Sequence, residues 1–89
     1  MNISEIEVSN MILEYPIETS DQLEFVVFCI ENIAISLSMD AEKIYEALAE
    51  RSNILNSYIV PGYEILHTQS KEYIINDIIE VMKEKSVLE

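Results

Sequence analysis

Residues Asp21–Leu37, DQLEFVVFCIENIAISL, are the most apolar run in the chain, and they restrict its fold more than any other stretch. At 17 residues the run is too long for an ordinary strand, and neither Gly nor Pro interrupts it. Thr19 followed by Gln22 has the pattern of a capping box, and Asp21 puts negative charge where a helix N-terminus favours it. The stretch therefore predicts a helix. On a helical projection Leu23, Val26, Val27, Ile30, Ile33, Ala34 and Leu37 share one side, and Glu24 and Glu31 mark the other. Phe28 and Ile35 fall on the side of the two glutamates. A helix that is apolar nearly all round is covered by neighbours or paired with a partner. Glu24, Phe28, Glu31 and Ile35 are thus the candidate interface. A membrane span is not expected, because the run is short of about 20 residues and carries two glutamates.

The remaining elements are shorter. Residues 1–15 read as a ragged amphipathic helix ended by Tyr15-Pro16, so that residues 1–20 form an N-terminal helix or mobile arm with its connector. Residues 21–86 form the helical core domain. Ser38 is the expected N-cap of the next helix, which carries Asp40 and Glu42 early and Arg51 late and buries Ile44, Tyr45, Ala47 and Leu48. Glu42, Glu46 and Glu50 follow at four-residue steps and predict an acidic ridge. Ile54, Leu55, Tyr58 and Ile59 face inward from a short helix that Pro61-Gly62 breaks. Tyr63–Leu66 is one more turn, followed by a polar corner of His67, Thr68, Gln69 and Ser70. Ser70 caps a last helix, Lys71–Lys85, with Ile74, Ile75, Ile78, Ile79, Val81 and Met82 on its stripe. The tail after Ser86 is expected to fray. The fold class is therefore all-α, a small compact domain of four main helices plus a short Pro-broken one. A single Gly among 89 residues leaves little turn chemistry for sheets.

Charge narrows the function. The net charge is −12, and residues 1–42 hold nine acidic side chains and no Lys or Arg. This argues against binding nucleic-acid phosphates or an anionic membrane surface, and it suits a basic protein partner or self-association through the apolar face. The one cysteine, Cys29, cannot form an internal disulfide and reads as a core residue, which fits a reducing cytoplasm. No phosphate-binding loop, zinc-ligand spacing or nucleophile elbow is present in the sequence, so no cofactor or metal is expected.

The one constellation with catalytic residue types is Tyr63, Glu64, His67, Thr68 and Asp77, which falls within a structural corner motif of Tyr63, Leu66, His67, Thr68, Gln69 and Asp77. Glu64 and His67 share a helical face, and Asp77 would orient the imidazole if the last helix folded back over the corner. An enzyme would use His67 as a general base. The structural alternative has His67 and Thr68 bonding backbone groups at the helix ends. With no nucleophile nearby, the structural alternative is preferred, and the chain is expected not to be an enzyme.

Three segments carry a family resemblance: Phe25–Glu31 (FVVFCIE), Tyr63–Gln69 (YEILHTQ) and Glu72–Ile78 (EYIINDI). Together they resemble a family of short bacterial proteins built around a domain of unknown function. The likeness covers most of the chain but not residues 1–20, and the Leu-His-Thr-Gln segment is its most specific part. Pro61-Gly62 departs from the continuous helix the family pattern implies before that segment. Some members are encoded beside ADP-ribosyltransferase-like proteins. The resemblance thus implies an antitoxin-like or accessory binding role. The rival expectations are a small enzyme using His67 and an acidic mimic of nucleic acid that blocks a DNA-binding protein.

Overall fold

The two long helices begin where the sequence places their caps. In the computed structural model, which describes residues 19–88, helix α1 spans Ser20–Leu37. Thr19, in extended conformation, accepts a hydrogen bond from the Gln22 amide at 3.1 Å through Oγ1. The last helix spans Lys71–Glu84, and Ser70 accepts from the Tyr73 amide at 3.1 Å in the same way. The expected helix over residues 1–15 lies outside the described residues.

Between these helices the chain runs through α2 (Ala41–Tyr45), a π turn (Glu46–Glu50), a second π turn (Leu55–Ile59) and α3 (Tyr63–Leu66). The helix at Lys71–Glu84 is then α4. The protein is mostly helical and compact, with no strand among the described residues. α1 packs against both α2 and α4. Its inward residues Phe25, Val26, Cys29, Ile30, Ile33 and Ala34 meet Ile44, Leu48, Leu55, Ile59, Ile78 and Met82 in one core. The inward stripes expected from the sequence are the ones that are buried, except that Leu23, Val27, Leu37, Tyr58 and Val81 sit at the core's edge.

Ser38 does not cap α2. It closes α1 instead, in left-handed conformation (φ 54, ψ 45). Its amide reaches the Ile35 carbonyl at 3.3 Å and the Met39 amide reaches Ala34 at 2.9 Å, the two bonds of a Schellman closure. Asp40 takes the N-cap position of α2. Closing one helix and opening the next needs separate residues here, because the left-handed turn is followed by extended backbone. The α1 axis and the segment Ala41–Glu50 meet at 116°.

α4 ends in the same manner. Ser86 is left-handed (φ 56), its amide bonds Lys83 at 3.0 Å, and the Val87 amide bonds Met82 at 3.1 Å. Val87, in the tail expected to fray, is buried, and its apolar side chain fixes the closure against the core.

The expected α-helix through Glu50 loosens into a π turn. The Arg51 amide bonds Glu46, five residues back, at 2.8 Å. That leaves the Ala47 carbonyl to the Ser52 hydroxyl at 2.8 Å, and Ser52 Oγ also accepts from the Ile54 amide at 3.3 Å. Of the expected acidic ridge, Glu42 and Glu50 are exposed and Glu46 is half-buried. The second π turn ends just before Val60-Pro61, where proline has no amide to continue a helix. The Gly62 amide bonds the Tyr58 carbonyl at 2.9 Å, so closely that a Cβ on Gly62 would lie 2.5 Å from that oxygen. Glycine is therefore required by close approach rather than by backbone angle.

No single helix among the described residues is long and apolar enough to cross a membrane. The bent pair Ser20–Leu37 and Ala41–Glu50 meets that test by length and composition, with most of its apolar side chains packed against the core and Ile35 exposed.

Candidate functional site

The outer side of α1 separates into two unlike ends. Toward its start, Glu24 is exposed while Phe28 is half-buried, its ring stacked on Phe25 at 6.3 Å and 21°. Phe25 in turn meets the edge of Tyr63 at 5.3 Å, and Tyr63 stacks on His67 at 4.5 Å. A run of four aromatic rings thus joins the α1 face to the corner, which the sequence does not show because Phe25 and Tyr63 lie on different elements. Burial and the nearby charges of Asp21, Glu64 and Glu24 push the Tyr63 hydroxyl up from its ordinary range. Carboxylates therefore gather around the aromatic run.

Toward the other end of α1, Ile35 is 75% exposed. With Asn32 and Ser36 it forms one wall of a shallow groove of about 310 Å³, and Lys71, Ile75 and Asn76 of α4 form the other. Glu31 lies half-buried between Phe28 and Ile35 on the helix. Of the two apolar residues on the glutamate side, Ile35 is open and Phe28 is mostly claimed by the protein's own core.

At the corner, α3 buries Leu66 and leaves His67, Thr68 and Gln69 exposed. Thr68 donates to the Ile65 carbonyl at 2.7 Å, as expected for a hydroxyl at a helix end. His67 is held by its stack on Tyr63. Asp77 takes the hydroxyl of Tyr58 in a short hydrogen bond. That bond, followed by burial, pushes the Tyr58 hydroxyl up to about 12. The arrangement in which Asp77 orients His67 is thus replaced by a Tyr58–Asp77 pair, formed across 19 residues of sequence. Beside it opens a second groove of about 370 Å³, with Ile65 and Tyr73 on its rim. Both rim residues escaped the sequence reading, although Tyr73 and Asp77 lie four apart on one helix face.

Burial holds the Cys29 thiol at about 12, far from thiolate. No three His, Cys, Asp or Glu side chains among the described residues come together in a way that could hold a metal ion.

A family model described as "Protein of unknown function (DUF3791)" matches residues 24–85, which include both grooves and the aromatic run. No curated protein and no solved structure matches the chain.

Proposed function

We propose that this chain, which belongs to the DUF3791 family, is a non-enzymatic interaction module that binds a basic protein through the outer side of α1. One observation carries the reading: a large aliphatic side chain, Ile35, stands 75% exposed on the central helix of a protein whose net charge is −12. An apolar contact with a charged surround is a common interface layout, and an acidic surface speeds encounter with a basic partner. The family resemblance extends the reading to an antitoxin-like or accessory role beside an ADP-ribosyltransferase-like neighbour, and the single cysteine suits the cytoplasm.

The test is capture of partners from native lysate at low and high salt, with light scattering of the purified protein to detect self-association. Ile35→Asp is the cleaner probe, since Phe28 also packs inside. It should speed dissociation, whereas Glu24→Gln with Glu31→Gln should slow association and weaken its salt dependence. A strictly monomeric protein that captures nothing specific at either salt, with Ile35→Asp silent in the cell, would remove the reading. A turnover lost with His67→Ala at unchanged stability would favour the enzyme instead.

A further inference from the structure

We infer that the corner groove and the outer stripe of α4 form a second docking surface, which takes a basic amphipathic helix from a partner protein. The groove is lined by Tyr58, Pro61, Ile65, Leu66, Tyr73 and Asp77. Its rim residues Ile65 and Tyr73 are 72% and 54% exposed, two of the largest apolar surfaces the described residues show to solvent. They flank the groove from different elements, α3 and α4, so an occupant lies between the elements and is gripped from both sides.

The charge next to the groove says what the occupant is. At about 100° per residue, Tyr73, Asp77, Glu80 and Glu84 fall within an arc of about 60° on α4. They run roughly 16 Å from the groove along the helix, the length of about three helical turns. Glu84 is near enough to the groove for its charge to help keep the Tyr58 hydroxyl protonated. The stripe contains one cation contact, between Lys83 and Glu80 at 3.4 Å, and it is exposed and weak. An occupant with apolar anchors for Ile65 and Tyr73 and with Lys or Arg along the same face satisfies both parts of the surface. A second copy of this chain does not, because two molecules of net charge −12 would bring like charges together. An anionic bilayer is disfavoured for the same reason.

The inference rests on the reading of the chain as an interaction module, but not on the α1 face. The probe is a fluorescein-labelled amphipathic Leu/Lys peptide of about 18 residues, long enough to cover the stripe. It is compared with a scramble of equal composition and with a Leu/Glu version. Fluorescence anisotropy on the full chain should show saturable binding of the Leu/Lys peptide. The scramble should bind about tenfold more weakly, and the Leu/Glu peptide should not bind. Ile65→Asp and, separately, Tyr73→Ala should each weaken binding about tenfold with an unchanged melting curve. If Ile65→Asp melts early, Tyr73→Ala gives the answer. Equal binding of the scramble, or wild-type binding by Tyr73→Ala, overturns the inference, as does the absence of saturable binding. A partner captured from lysate and lost with Ile35→Asp but kept with Ile65→Asp sinks this inference while the α1 reading stands.

Discussion

Ser38 and Ser86 each hold a backbone conformation that usually belongs to glycine, in a chain with one glycine to spend elsewhere. A side chain in the left-handed region costs roughly 1–2 kcal/mol, and glycine's greater freedom in the unfolded chain offsets part of that. Ser38→Gly and Ser86→Gly should therefore each raise stability by about 0.5–1 kcal/mol, and the two gains should add because they lie at different helix ends. Chemical denaturation reads this directly, and a loss of stability at both sites would contradict the closure geometry. Tyr58 offers a second residue-level check. Its hydroxyl keeps the proton to about 12 against an ordinary 10.0, with the hydrogen bond to Asp77 as the main cause. A raised folded value means that the bond supports the fold fully below pH 10 and loses that support as pH climbs toward 12. In a spectrophotometric titration of the five tyrosines, Tyr58 should be among those that ionise late, and Asp77→Asn should bring its step back toward the ordinary value while leaving the raised Tyr63 where it is.

At the level of elements, α1 should be the most protected from hydrogen exchange. Its residues Val26, Cys29, Ile30 and Ile33 are fully buried, so their amides open only when the domain does. Exchange at Val26–Ile33 as fast as at α3 would show that the core is organised differently. Both long helices were legible because an N-cap pattern and an apolar period agreed over many residues. The π turn at Glu46–Glu50 was not, since Ile44, Tyr45, Ala47 and Leu48 fit an α-helical stripe equally well. In the wide turn the Ser52 hydroxyl takes the Ala47 carbonyl, a contact that no spacing rule encodes. Ser38 was misplaced for a related reason: serine suits both an N-cap and a left-handed closure, and only the following backbone decides. The candidate surfaces were partly legible. The helical projection puts Ile35 and Phe28 alike on the glutamate side, and only the neighbouring elements make Ile35 exposed and Phe28 half-buried. The Phe25–Tyr63 contact and the Tyr58–Asp77 bond join elements far apart in sequence, and local pattern cannot report them.

For the whole molecule, charge opposes compactness. Two exposed ion pairs, Lys43–Glu46 and Lys83–Glu80, contribute little against a net charge of −12. Added salt should therefore raise the melting temperature by screening repulsion, and a fall with salt would mean that attractive pairs dominate. The π turn at Glu46–Glu50 has a different kind of consequence. A π turn is an α-helix that has accommodated one surplus residue, so the chain carries a place where its length is adjustable. Removing Ala49 lets the segment close with ordinary α spacing, and because the wide turn already absorbs the surplus residue, everything downstream keeps nearly the same bearing relative to α1. The Ser52 amide, then four residues from Ala47, can take the carbonyl that its hydroxyl holds in the wide turn, and the corner groove and α1 keep their mutual placement. Such a shortened protein should still melt cooperatively and keep both faces in their present relation, whereas the same deletion inside α1 should not.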